Sequence, residues 1–339
     1  MANKEKKSKR HTSGKRKEVV TYNEDDIKEM IQENEKEKTR KPRAKRSTEN
    51  RQRSISRHDP IDVDIYQQNS EHQQELSEHN IIEIVTVQCS PFKWLMDTLN
   101  GILTNVNIKF TSSGIKARDF NDPKTIFINL EMSAKNFEHY RCTREEFSIG
   151  IKLNKFYKYI KNIGAQNVLT LFVDERNLNK LGIIIEDKDR GLVVTHKVNL
   201  LDPNDEGATE IKNPYTTIVK MPSTFFQKIC RDCNPLVDIL EIRRTSGQNK
   251  RLIFLSDDED ETEIILGETK DYLSFIKNDK EDEIIQGFYS LKDLTSFTKC
   301  ANISKIVKLY LDNNKPLMIE YDVGNLGTIQ LSIPSISKK

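Results

Sequence analysis

The sequence predicts an α+β chain of two similar domains, each with two short helices set on antiparallel strands. Three observations carry this. β-branched runs bounded by turn residues recur along most of the chain. Four amphipathic helical segments stand at matching places in the two halves. The order strand, helix, several strands, helix, several strands occurs twice, and two copies of so long a period mean a duplicated domain rather than a solenoid. The expected division is an arm over 1–79, a first domain over 80–200, a linker over 201–214 and a second domain over 215–339.

The arm is set apart by charge. Residues 1–57 hold 19 Lys/Arg against 10 Asp/Glu, so they carry +9 of a net +2 and the remainder carries −7. Rich in Lys, Arg, Glu, Gln, Asn and Ser and poor in aromatics, residues 1–79 bury too little apolar surface to offset the entropy of ordering. They are expected to be disordered, with a transient helix over Asp25–Lys38. Basic clusters at Lys4–Arg10, Lys15–Lys17 and Arg40–Arg46 suit a nuclear-import signal, a nucleic-acid-touching arm or a solvated tail.

Structure should begin with a strand at Ile81–Val87, then a helix at Phe92–Leu103 buried through Phe92, Leu95, Met96 and Leu99. A hairpin turns at Thr111-Ser112-Ser113-Gly114. Strands at Thr125–Met132 and Phe147–Ile151 lead to a second helix, Leu153–Ile163, with Gly164 as its C-terminal cap. Strands at Val168–Val173, Leu181–Glu186 and Leu192–Leu200 complete the half. Asp202–Pro214, polar and proline-bearing, reads as the linker.

The second half repeats the plan. A strand at Thr216–Lys220 runs into a helix opened by Pro222 and capped by Ser223. Its apolar face is Phe225, Phe226, Ile229, Cys230 and Cys233. Strands at Leu236–Arg243, Arg251–Leu255, Glu263–Leu266 and Ile284–Ser290 precede a fourth helix, Leu291–Cys300. Strands at Ile306–Leu311, Leu317–Tyr321 and Thr328–Ile333 end the chain.

Five cysteines, an odd and small number, suit a reduced intracellular compartment. No apolar run reaches the length of a membrane span. Cys230 and Cys233 have no second ligand pair at zinc spacing and share the helix's apolar face. The acidic run Asp257–Glu261 is the one feature a Mg²⁺-dependent nuclease would use, but catalytic carboxylates converge from separate elements rather than stand in one row. No catalytic residue, metal or cofactor is expected.

The functional signal lies on the helices. Each has an apolar side and at least one outward cation: Lys93 on the first, Lys155, Lys158 and Lys161 on the second, Lys228 and Arg231 on the third, Lys292 and Lys299 on the fourth. Gathered on one surface of an otherwise acidic body, they suit a phosphate backbone. No helix carries the Asn/Gln/Arg cluster that reads base edges, so binding should be independent of sequence and sensitive to salt.

From about Ile81 to Pro334 the chain resembles the proliferating cell nuclear antigen family of DNA sliding clamps. The resemblance rests on the Met-Pro-Ser-x-x-Phe-x-x-Ile-Cys-Arg-Asp run at Met221–Asp232 and the Phe-x-x-Tyr-Arg-Cys run at Phe137–Cys142. Ser112-Ser113-Gly114, Phe297-Thr298-Lys299 and Pro316-Leu317-x-Ile319-Glu320-Tyr321 add to it in the same order. It implies a DNA-clamp fold in a ring of three identical subunits, with helices lining a bore for double-stranded DNA. It implies no catalysis, a clamp loader, and partners such as DNA polymerase that dock PIP-box-like helical motifs. The cations named above fall on DNA-facing positions, with Lys155 an addition and Trp94 standing where many relatives carry a second cation. The partner pocket is expected at Phe120, Leu200, Pro316, Leu331, Ile333 and Pro334. Ring closure is expected between an edge strand bearing Leu181, Ile183, Ile184 and Ile185 and one bearing Ile264 and Leu266. A checkpoint-type mixed ring and a monomeric or dimeric processivity factor share the fold. The expected compartment is the nucleus, or a cytoplasmic replication factory if the source is viral; heavy Lys, Ile and Asn usage points to an A+T-rich genome, which with the arm suits a large DNA virus or a protist.

Overall fold

The computed structural model describes residues 18–21, 78–203, 214–233, 238–247, 250–257, 261–269, 272–280 and 282–337. The helix expected at Asp25–Lys38 and most of the expected linker lie outside them.

The first half runs β2 (Asn80–Thr86), α1 (Cys89–Ile102), β3 (Asn105–Thr111), β4 (Gly114–Phe120), β5 (Phe127–Ser133), β6 (His139–Cys142), β7 (Glu146–Lys152), α2 (Leu153–Ile160), β8 (Val168–Asp174), β9 (Lys180–Asp187) and β10 (Leu192–Asn199). The second runs β11 (Thr217–Pro222), α3 (Ser223–Cys233), β12 (Ile239–Arg244), β13 (Arg251–Asp257), β14 (Glu261–Gly267), β15 (Ser274–Asn278), β16 (Ile285–Ser290), α4 (Leu291–Phe297), β17 (Ile306–Leu311), β18 (Leu317–Val323) and β19 (Gly327–Ile333). The two lists match element for element, so the duplication read from the sequence holds. β6 and β15 are additions to the expected set. One is only four residues long and the other carries no alternation to signal a strand.

Alternate residues of the strands point into one continuous core. Sheet order makes the duplication explicit. β10-β9-β8-β2-β6 in the first half has the same order as β19-β18-β17-β11-β15 in the second. Likewise β5-β4-β3-β7 matches β14-β13-β12-β16. The halves are joined because β19 pairs antiparallel with β5 from Ser332↔Phe127 to Gly327↔Met132, giving one nine-stranded sheet. The pseudo-equivalent strands, β10 and β14, are not joined to each other. β10 is bonded only through β9.

That order corrects one expectation. β9, which carries Leu181, Ile183, Ile184 and Ile185, is no edge: β8 takes one side and β10 the other. Leu181 and Ile183 are buried in the core. The free edge is β10, where Leu192 and Val193 stand 50% and 53% exposed.

The arm holds a second correction. Expected to be disordered apart from a transient helix, it contributes β1 (Glu18–Thr21), which pairs parallel with β14. Local details differ too. Ser223 is the first residue of α3, and its buried hydroxyl has no hydrogen-bond partner among the described residues. Its N–H donates to the Lys305 carbonyl instead. α2 ends at Ile160 with Lys161 as its cap, and the N–H of Gly164 is taken by the Asn167 side chain at 2.6 Å. The last turn of the fourth helix is a tighter one over Thr298–Asn302.

Candidate nucleic-acid interface and partner groove

The four helices form one contiguous row in the order α2, α1, α4, α3. Each is held by the apolar face its spacing foretold. Phe92, Leu95, Met96 and Leu99 are buried on α1, Leu153, Phe156 and Ile160 on α2, Phe225, Phe226, Ile229 and Cys230 on α3, and Leu291, Leu294 and Phe297 on α4. Full burial of one such side chain is worth about 1.5–3 kcal/mol. Polar contacts lock the row: Gln227 donates to the Thr298 carbonyl at 3.1 Å, and the Cys300 thiol lies 3.9 Å from the Thr98 hydroxyl.

The opposite faces carry the cations, and the structure gathers all eight onto this row. Lys155, Lys158, Lys161, Arg231, Lys292 and Lys299 are exposed. Lys93 is half-buried, with its ammonium donating to the Ile163 carbonyl at 3.0 Å and lying 5.8 Å from the Trp94 ring centre. Lys228 is also half-buried and pairs with Asp232 at 3.0 Å one turn on. Lys299 reaches across to the last turn of α1, where its ammonium would meet a Cβ placed on Gly101. A cation there also complements the helix dipole. Asp97, Asp232 and Asp293 are the acidic residues within the helices, so the exposed face stays strongly positive. Burial first, and then the Asp97 carboxylate, push the Tyr157 hydroxyl above its ordinary range.

On the far side of the sheets a groove of about 240 Å³ crosses the joint between the halves. Phe127 and Asn129 line it from β5, Ile218 from β11, Tyr310 from β17, Met318 from β18, and Gln330 and Ser332 from β19. Pro214 and Tyr215, at the end of the expected linker, and Lys277 close it. The Tyr215 hydroxyl donates to the Pro316 carbonyl at 2.9 Å. Phe120, 44% exposed, stacks on Phe127 with ring centres 5.0 Å apart. Beside the groove Glu320 accepts from Lys308, Tyr310 and Gln330 at 2.7, 2.9 and 2.9 Å. Burial opposes its ionisation, but these hydrogen bonds outweigh burial and hold its carboxyl below the ordinary value.

Of the residues expected in the partner pocket, none lines this groove, although Phe120 and Pro316 each touch a residue that does, Phe127 and Tyr215. Pro334 is exposed and Leu200 half-buried. Leu331 and Ile333 point the other way, 0% and 2% exposed. The side-chain period of a strand is two, so Gln330 and Ser332 are the residues of β19 that face the groove, Ser332 itself being 4% exposed. The signal was present: Ile329, Leu331 and Ile333 are the apolar phase, and Thr328, Gln330 and Ser332 the polar one. The other lining residues come from β5, β11, β15, β17 and β18 and from Pro214 and Tyr215, and no local pattern marks them.

The five cysteines are free thiols and four are buried. Burial pushes Cys233 up to about 11 and raises Cys230 further. No cluster of metal ligands occurs among the described residues. Of the acidic run, Asp257 and Glu261 face each other where β13 turns into β14, and the residues between lie outside the described ones.

Comparison with known proteins points to one family. The family model "Proliferating cell nuclear antigen, N-terminal domain" matches residues 81–206, and the C-terminal domain model matches 210–336. The chain is 25% identical over 261 residues to a "Probable DNA polymerase sliding clamp 1" of Paramecium bursaria Chlorella virus 1, covering 76% of this chain and 97% of the relative. It is also 25% identical over 253 residues to the "Proliferating cell nuclear antigen" of Dictyostelium discoideum, covering 73% and 96%.

Proposed function

The chain belongs to the proliferating cell nuclear antigen family of DNA sliding clamps, and on that premise we propose that three copies close head to tail into a ring around duplex DNA. The junction between the halves carries this reading. β19 binds β5 within the chain, and the same halves leave β10 and β14 as the pseudo-equivalent pair. Repeating the internal junction between copies sets β10 of one subunit antiparallel to β14 of the next. Ile264 and Leu266 then belong to the closing strand. Such a head-to-tail contact makes a ring when its rotation closes.

In that ring the helix row faces the bore. Lys93, Lys155, Lys158, Lys161, Lys228, Arg231, Lys292 and Lys299 neutralise phosphates without reading bases, so the clamp slides. The chain performs no catalysis. It tethers replication enzymes, DNA polymerase foremost. Their PIP-box-like motifs lay a short helix with apolar plugs into the groove at Phe127, Tyr215, Met318 and Ser332. A clamp loader opens the ring. The site of action is the nucleus, or a viral replication factory if the source is a large DNA virus.

Absolute mass by light scattering at low and high salt tests the ring. The expected value is about three times the 39.4 kDa chain. Retention on circular but not linear DNA then tests encirclement. A stable monomer or dimer at every concentration overturns the ring, and equal retention on both DNAs overturns encirclement.

A further inference from the structure

The arm strand β1 occupies the strand edge on which ring closure depends. It runs parallel to β14 with Glu18↔Thr262, Val19↔Glu263, Val20↔Ile264 and Thr21↔Ile265. β13 fills the other side of β14 over its whole length, from Arg251↔Gly267 to Asp257↔Glu261. One row of backbone N–H and C=O groups therefore remains on β14, and β1 already bonds its middle. Two strands cannot share that row at the same residues.

Resting on the ring reading above, we propose that β1 is a removable guard, which covers β14 in the unassembled subunit and competes there with β10 of a second copy. The two competitors differ in kind. β1 offers four residues in parallel pairing, which is slightly the weaker geometry per residue. β10 offers eight residues, and by analogy with β19 on β5, where six pairs form, it pairs antiparallel. The second copy is thus the stronger partner. The guard, however, is tethered to its own body through residues 22–79, so its pairing does not weaken on dilution. At low concentration the guard holds the edge, and above a threshold the second copy displaces it. An exposed edge is a template for indiscriminate pairing, so covering it until the correct partner arrives also limits aggregation. Among the described residues the other end of the body is unguarded: the exposed Leu192 and Val193 leave β10 ready to add to a vacated β14.

The test compares the full chain with its Val19→Pro/Val20→Pro variant, in which whichever of these adjacent residues directs its N–H at β14 loses that ladder donor, and the fixed proline φ disturbs the extended pairing. Sedimentation over a dilution series should show the half-assembly concentration falling at least about tenfold in the variant. Unchanged or weakened assembly overturns the guard. Hydrogen exchange on the dilute monomer separates this failure from failure of the ring. The amides of residues 262–265 that point away from β13 should be protected in the full chain and exchange freely in the variant, while the alternate amides bonded to β13 stay protected in both. If neither chain assembles at any concentration, the ring reading falls and the competition with it, while protection at 262–265 still reports whether β1 sits on the edge.

Discussion

Ile329 of β19 lies opposite Leu130 of β5, and neither has any exposed surface. This antiparallel contact unites two halves that are each complete copies of one plan. At its start Gly327 passes so close to β5 that a Cβ would overlap the Glu131 carbonyl oxygen and the Cα of Met132. Backbone cannot yield as a flexible side chain does. Gly327→Ala should therefore cost about 2–4 kcal/mol in urea unfolding. A variant with an unchanged midpoint would mean that the joint is looser than it looks.

Tyr321 should respond in the opposite direction. Its hydroxyl is buried near Cys230 and Cys300 and has no hydrogen-bond partner among the described residues. An unsatisfied buried hydroxyl costs about 1–3 kcal/mol. Tyr321→Phe keeps the ring and removes the cost, so the melting temperature should rise. A fall would reveal a partner for the hydroxyl.

The Glu320 network predicts a pH dependence. The Glu320 carboxyl is held below its ordinary value of 4.5. Its contribution to stability is complete above that value and is lost as the pH falls through the lower folded-state value. Lys308 is raised above 10.5, chiefly by its hydrogen bond to Glu320. Its contribution is complete below that value and lost as the pH rises past it. Glu320→Gln should lower stability at pH 7 and flatten the acid limb of the stability curve below 4.5. An acid limb as steep as that of the parent would place the titrating group elsewhere.

The cations of the helix row should not count equally in DNA binding. Arg231 is exposed, whereas Lys228 already pairs with Asp232. Arg231→Ala should reduce the slope of log affinity against log salt by about 0.9, the value of one lost phosphate contact. Lys228→Ala should reduce it by less. Equal changes would show that the Asp232 pair opens when DNA binds.

Adjacent residues of β19 should separate partner docking from folding. Ser332→Phe fills the groove and should abolish binding of a PIP-box-like peptide in a fluorescence titration, at a cost of about 1–3 kcal/mol in stability because Ser332 is 4% exposed. Leu331→Ala opens a hole in the core and should cost about 2–5 kcal/mol. Peptide binding that survives Ser332→Phe would move the docking site away from this groove.

Much of this was legible in the chain itself. Period-3.6 spacing placed the buried faces of all four helices, and with them the cations opposite, because a helix side is set by positions three and four apart. The repeat foretold the duplication, because each copy keeps the same sequence of periodicities. Alternation in Thr328–Ile333 also held the inward phase of Leu331 and Ile333, although the pocket was expected on that phase.

Edges and joints belong to the tertiary structure. Leu181–Glu186 and Leu192–Leu200 both read as good strands, and nothing local says which lies outermost. Strand order is decided by pairing between segments far apart in sequence. The groove is likewise assembled from Phe127, Tyr215, Met318 and Ser332, which meet only when β19 joins β5. β1 is the extreme case. Glu18-Val19-Val20-Thr21 is too short to be stable alone, and it becomes a strand because β14 presents an unpaired row of backbone groups for it to complete.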